Sequence, residues 1–210
     1  MKPIDTLRRF VAPQDCEREL FREPFLFESA DGNKYPTATD MHILCRFKHV
    51  TPDCAILLSA GEPNVDSVIP TETCTGILNV DRLKESLGKV PMSQTCTCPE
   101  CGGAGRVRYE YKSKKGDIYY YYPACPICAG EGEVDREEDG SWEYDFNYGI
   151  KIDNATFWPK YLIVIATALF ECGIAEIPYV IASNRLKLEN EVFVMLQMAN
   201  VFDFKHIIEY

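Results

Sequence analysis

Ile177-Pro-Tyr-Val-Ile-Ala182-Ser-Asn-Arg185-Leu-Lys-Leu-Glu189-Asn-Glu-Val192-Phe-Val-Met-Leu-Gln-Met198 decides the fold. It divides into three runs rich in β-branched, aromatic and aliphatic residues, Ile177 to Ala182, Arg185 to Glu189 and Val192 to Met198. Ser183-Asn184 and Asn190-Glu191 separate them, and two polar residues between such runs describe tight hairpin turns. The stretch is therefore three antiparallel strands in series. Upstream, Phe157 to Cys172 reads as a largely buried helix, with Pro159 fitting its first turn and Gly173 stopping it. Asp153-Asn154-Ala155-Thr156 offers N-cap residues, and Tyr144 to Asp153 reads as a strand.

The first half of the chain repeats a helix-then-strands pattern. Residues 4 to 22 start as an amphipathic helix, with Ile4, Leu7, Phe10 and Val11 on one face and Arg8 and Arg9 pointing away. Pro13 ends that piece, and Cys16 to Phe21 is a second short helical segment. Phe25 to Glu28 reads as a strand, Asp31-Gly32-Asn33 as a tight turn, and Tyr35 to Phe47 as one or two further strands. Ala55 to Ser59 continues the strand character before a Gly61-Glu62-Pro63-Asn64 loop. Two short apolar pieces, Val68-Ile69-Pro70 and Gly76-Ile77-Leu78, lead to a helix over Asn79 to Lys89 that buries Leu83 and Leu87 and is closed by Pro91. The expected fold class is α+β, built as two helix-plus-antiparallel-strand halves.

Between the halves stand Cys98-Pro-Glu-Cys101-Gly-Gly-Ala-Gly105 and Cys125-Pro-Ile-Cys128-Ala-Gly-Glu-Gly132. Two residues between thiols let the chain turn tightly, so that both sulfurs of a pair meet one ion at about 2.3 Å. The glycines permit backbone shapes closed to other residues and free nearby N–H groups to bond the thiolates. Four thiolates with no open position suit one structural Zn2+, with Cys98, Cys101, Cys125 and Cys128 as ligands. A pair of redox dithiols is the competing reading, and the paired glycines argue against it.

Within this insertion, Arg106 to Lys115, a Gly116-Asp117 turn and Ile118 to Tyr122 describe a hairpin. Arg106, Arg108, Lys112, Lys114 and Lys115 stand against Glu110 and Asp117, a local balance of 5 − 2 = +3, interleaved with Tyr109, Tyr111 and Tyr119 to Tyr122. Cations beside exposed rings suit a reader of single strands or of the phosphate backbone. The competing reading is a hairpin whose tyrosines cover one another while its lysines keep an exposed edge soluble. Glu131 to Asp139, six acids against Arg136, reads as a solvated return linker. The organisation is thus residues 1–92 and 141–210 for the main domain and 93–140 for the inserted zinc module.

The 210 residues, 46% hydrophobic and 12% aromatic, suffice for one substantial core with a small second module. No apolar run reaches membrane-spanning length, and MKPIDTLRRF lacks the apolar centre of a signal peptide. Of ten cysteines four belong to the metal motif and six are scattered among apolar neighbours, which points to a reducing cytoplasm. A net charge of −10 disfavours indiscriminate binding to nucleic acid or anionic membrane while leaving room for a local basic face.

The CxxCxGxG pair resembles the cysteine-rich zinc domain of DnaJ-type co-chaperones, which carries four copies and two zincs; two copies here imply one. The chain lacks the His-Pro-Asp triplet of the J-domain, so the resemblance implies the zinc ribbon's architecture rather than chaperone activity. Outside the insertion, Tyr35-Pro-Thr-Ala-Thr-Asp-Met-His-Ile-Leu44, Ala155-Thr-Phe-Trp-Pro-Lys-Tyr-Leu162 and Asn190-Glu-Val-Phe-Val-Met-Leu-Gln-Met198 resemble strand and helix motifs of a single domain of the bacterial sliding DNA clamp. That resemblance implies a clamp-like domain, DNA or a replication protein as partner, and self-association. A bacterial clamp chain has three such domains and closes a ring of six with its partner, whereas this chain has length for one. Clamp helices line the ring with basic residues; Arg8, Arg9, Arg82 and Lys84 fit that role, and the Phe157 helix offers Lys160.

Nothing in the chain insists on an enzyme. His42, His49 and His206 are isolated in sequence, Asp40 suits a turn or cap, and the glycines at 102, 103 and 105 belong to the zinc knuckle rather than to a phosphate loop. The expected function is a non-enzymatic accessory of DNA replication or repair that binds DNA or a polymerase-type partner. The alternative is a protein–protein adaptor whose DnaJ-like zinc arm binds polypeptide.

Overall fold

The computed structural model describes residues 2–14, 16–30, 32–55, 57–60, 64–93, 95–135, 143–199 and 204–210. Pro3 occupies the start of helix α1 (Pro3–Leu7), where its missing N–H costs nothing. This helix is far shorter than the segment expected over residues 4–22: Arg8 caps it, and the Phe10 N–H turns back to the Leu7 carbonyl. Leu7 and Phe10 still reach the core, fully buried. The Cys16 to Phe21 piece holds only a 3-10 turn, Glu19–Arg22, and the Arg22 guanidinium donates to the Cys16 carbonyl at 2.8 Å.

Strands β1 (Phe25–Glu28), β2 (Lys34–Thr39) and β3 (Ile43–Phe47) form the expected meander. Gly32, at φ +79°, turns the chain between the first two. Between β2 and β3 the Asp40 carboxylate accepts from the His42 and Ile43 N–H groups, each at 2.8 Å. The strand expected over Ala55 to Ser59 shrinks to β4 (Ser59–Ala60), since residues 52–55 turn back on the Thr51 carbonyl. Positions 61–63 of the expected loop lie outside the described residues. Val68 belongs to a 3-10 turn, Asp66–Val68, and β5 (Gly76–Asn79) leads into α2 (Val80–Leu87). The Asn79 carboxamide caps α2 by accepting from the Arg82 N–H, and Leu83 and Leu87 are buried.

Three two-stranded ribbons follow: β6 (Met92–Ser93), β7 (Thr95–Thr97), β8 (Tyr109–Lys112), β9 (Ile118–Tyr121), β10 (Glu133–Asp135) and β11 (Glu143–Tyr144) pair as β6 with β11, β7 with β10 and β8 with β9. The acidic stretch expected as a linker therefore contains a strand, with Glu133 opposite Thr97 and Asp135 opposite Thr95; residues 136–142 lie outside the described set. The strand expected over Tyr144 to Asp153 is two, β11 and β12 (Tyr148–Ile152), separated by a turn in which the Asp145 carboxylate accepts from the Asn147 N–H.

Asp153 and Asn154 do not cap a helix. Asp153 adopts φ +51° and turns β12 into β13 (Ala155–Phe157), with Ile152 opposite Ala155. Helix α3 (Pro159–Glu171) starts after Trp158 without a side-chain cap and ends at Gly173, φ +71°. Strands β14 (Glu176–Ala182), β15 (Arg185–Glu189), β16 (Phe193–Met198) and β17 (His206–Glu209) complete the chain. Ser183 and Asn184 take φ +51° and +57°, the left-handed pair that matches strand twist in a two-residue hairpin.

The chain forms two compact units, Met1–Lys89 with Tyr148–Tyr210, and Val90–Asn147. In the first, an eight-stranded sheet runs β4-β1-β2-β3-β16-β15-β14-β5, antiparallel except for β1 with β4. The two halves meet where β3 and β16 pair, Phe47 opposite Phe193 through Ile43 opposite Gln197. Phe25, Phe27, Leu44, Val194 and Leu196 form a core cluster, while the intervening Cys45, Phe193 and Met195 are also buried. This α+β fold is mostly antiparallel sheet with few helices, and its central strands are covered on both faces.

Candidate metal centre and binding surfaces

The two cysteine motifs fold alike. After Cys101 and Cys128 the chain passes through left-handed backbone at Gly102 and Gly103 in one motif and at Ala129 and Gly130 in the other. The Cys98 N–H donates to the Gly132 carbonyl at 2.9 Å and the Cys125 N–H to the Gly105 carbonyl at 2.8 Å, so each motif ties the other. Sulfurs of Cys98 and Cys125 lie 3.8 Å apart and those of Cys101 and Cys128 3.7 Å apart, all four within 4.8 Å. A tetrahedron with metal–sulfur bonds of about 2.3 Å has edges of about 3.8 Å, so the donor set fits zinc.

Backbone donors tune these sulfurs. The Gly105 N–H donates to Cys101 Sγ at 3.3 Å and the Gly132 N–H to Cys128 Sγ at 3.1 Å. Desolvation raises the Cys128 thiol, but the amides of Gly132 and Gly130 and the adjoining thiols outweigh it and bring it to about 7. Such donors favour the thiolate that a metal requires. Cys98, Cys125 and Cys128 are buried and Cys101 is half-buried, and the four make one structural zinc site. Among the described residues no other cluster of His, Cys, Asp and Glu is arranged to hold a metal. The side chain of Cys96 lies outside the described residues.

From this knuckle the arm rises as the β8–β9 ribbon, begun by a bridge between Arg106 and Ala124 and closed where the Ser113 N–H meets the Asp117 carbonyl. Every side chain on both strands is exposed. Tyr109 faces Tyr121 and Tyr111 faces Tyr119, so these four share a face; Glu110, Lys112, Ile118 and Tyr120 share the other. The Arg108 guanidinium lies 4.8 Å from the Tyr120 ring centre and 3.8 Å from the Glu110 carboxylate. The ribbon therefore separates the expected contact set: Tyr109 and Tyr111 on one face, Arg108 and Lys112 toward the other, Lys114 and Lys115 in the turn.

A second surface could not be found by local pattern. A pocket of about 210 Å³ is lined by Arg18, Phe21, Thr39, Met41, His42, Ile43, Leu44, Asn64, Val65, Val68, Leu196 and Met198. Four separated segments build it, mostly with apolar atoms. His42 at its rim stacks on Tyr161, ring centres 5.1 Å apart. His206 stacks on Tyr148 instead, at 4.6 Å.

No protein-family model matches the chain. Over 80 residues it is 34% identical to the chaperone protein DnaJ of Gloeobacter violaceus, a match covering 38% of this chain and 18% of that protein. Its fold is that of the DNA polymerase sliding clamps. The clamp of Caulobacter crescentus superposes with a TM-score of 0.51 at 13% identity, covering 95% of this chain and 62% of the clamp. The clamp of Bartonella birtlesii, solved bound to griselimycin, gives 0.50 at 13% identity over 95% of this chain and 63% of its own length. The chain thus spans about three fifths of the clamps it resembles, and under a fifth of the DnaJ relative. Among the described residues no helix is long and apolar enough to cross a membrane.

Proposed function

We propose that this chain is a non-enzymatic accessory of DNA replication or repair, a clamp-like platform whose zinc-held arm contacts DNA or a polymerase-type partner. The observation that carries the reading is the arm itself: Arg106, Arg108, Lys112, Lys114 and Lys115 beside the exposed rings of Tyr109 and Tyr111, on a chain with a sliding-clamp fold. Fold alone supplies architecture, so the functional weight rests on these side chains. Zinc holds the base of a segment too small to own a core, contributing its binding free energy to local folding. The apolar pocket beside His42 supports the protein-partner arm of the reading, since it is sized for one or two apolar side chains of a docked polypeptide. Residence in a reducing cytoplasm and self-association belong to the same reading.

A second reading, a protein–protein adaptor whose arm binds polypeptide, is favoured by the DnaJ likeness and by Ile127, 61% exposed on the turn of the second knuckle.

The test uses full-length, zinc-loaded protein. Light scattering gives its mass, and fluorescence anisotropy gives its affinity for a labelled primer–template DNA as salt rises. Affinity that falls steeply with salt supports the DNA reading. Association only with a permanently unfolded polypeptide, indifferent to salt, replaces it with the adaptor.

A further inference from the structure

We infer that the arm face carrying Tyr109, Tyr111, Tyr119 and Tyr121 is a stacking platform for single-stranded nucleic acid. This deepens, and rests on, the proposed contact between the arm and nucleic acid. The four rings are 57%, 64%, 58% and 69% exposed, so they do not cover one another. Tyr111 and Tyr119 stand 6.4 Å apart, centre to centre, and open to solvent. Successive tyrosines on one strand are about 6.8 Å apart by strand geometry, two base-stacking intervals of about 3.4 Å.

On the opposite face Arg108 lies over Tyr120 and beside Glu110, among exposed Lys112 and Ile118. The tyrosine face carries no charge within the strands. Cations stand beyond its tip, Lys114 and Lys115 in the turn, while the register places Arg106 on the side of Arg108 and Glu110. That layout matches a chain whose bases lie on the rings and whose phosphates are gripped at the tip. On a protein of net charge −10 this arm is a local basic segment, five cations against Glu110 and Asp117.

Duplex DNA suits the face poorly. A two-stranded ribbon can enter the major groove, but reading bases there requires Arg, Lys, Asn or Gln on the inserted face. Phenol rings need a base that is not already stacked between neighbours.

The test measures anisotropy of a fluorescein-labelled oligothymidylate, a blunt duplex of equal length and a primer–template junction with full-length, zinc-loaded protein. The expected result is preference for oligothymidylate over the blunt duplex by about tenfold or more. Tyr111→Thr with Tyr119→Thr weakens binding about tenfold, while Tyr111→Phe with Tyr119→Phe retains it, because stacking needs the ring and not the hydroxyl. Lys114→Ala with Lys115→Ala lowers the slope of log affinity against log salt by about 1.4. Should the threonine pair lose zinc or ribbon structure, the phenylalanine pair and quenching of wild-type tyrosine fluorescence by oligothymidylate still decide the matter. Equal or tighter binding to the blunt duplex, absence of quenching, or an unchanged affinity in a zinc-replete threonine pair overturns the platform. Junction binding without single-strand preference overturns it while leaving the replication reading intact; binding of unfolded polypeptide alone overturns both.

Discussion

Gly105 lies with its α-carbon against the carbonyl of Gly130, so close that a β-carbon built on it would sit 2.3 Å from the oxygen. The relation is reciprocal, since a β-carbon on Gly132 would sit 2.4 Å from the Gly103 oxygen. The last glycine of each motif is thus the point where the knuckles cross, and its own N–H serves a zinc-ligand sulfur. Gly105→Ala must move this backbone and also hold alanine at φ +68°, a strain of about 1–3 kcal/mol. Zinc affinity by chelator competition is expected to fall about tenfold or more. Gly102→Ala is the control: φ is +58° with open space around it, and Ala129 already occupies the matching place in the second motif.

Cys98→Ser removes one of four sulfurs and with it the tetrahedron. Among the described residues of 90–147 the apolar cluster is Cys98, Cys125 and Cys128 with the partly buried Cys101, Val107 and Val134 packed on them. The expected outcome is loss of bound zinc and rapid proteolysis within this unit, with the main thermal transition by circular dichroism retained. A single collapse of the whole chain would show that the unit is not independent.

What could be read from the chain was local chemistry. The thiol spacing and the Ser183-Asn184 turn each depend on a few adjacent residues, and both stand in the structure with the left-handed backbone their glycines and turn residues allow. Tertiary pairing set the rest. Glu133 to Asp135 looks solvated by composition, yet its backbone finds Thr95 to Thr97. Asp153 looks like a helix cap, yet Ala155 pairs with Ile152 first. The pocket beside His42 draws on four segments far apart in the chain, so no periodicity announces it.

Gly76 is opposite Tyr179 on neighbouring strands, and a β-carbon there would meet the ring at 2.4 Å. The ring cannot swing aside freely, because its hydroxyl donates to Asp153 Oδ2 at 2.7 Å. Gly76→Ala is expected to destabilise the main unit by about 1–3 kcal/mol through overpacking, read by urea unfolding.

Lys187 is buried, and its ammonium donates to the carbonyls of Pro70 and Glu72 at 2.9 and 2.6 Å while lying 3.2 Å from Glu189. Lys187→Met keeps the stem but strands these acceptors, at an expected cost of about 1–3 kcal/mol in urea unfolding at neutral pH. Burial alone would raise the Glu189 carboxyl, but hydrogen bonds from Lys48 and Lys187 outweigh it and hold it below its ordinary value. A depressed carboxyl contributes stability above its unfolded value of about 4.3, and that contribution is lost as pH falls through the folded value. With Lys187 gone only Lys48, at 2.7 Å, still depresses Glu189. The stability gap between wild type and Lys187→Met should therefore be constant near neutrality and narrow as the pH is lowered past about 4.3. A gap that stays constant or widens in acid would mean that the ammonium serves the two carbonyls alone.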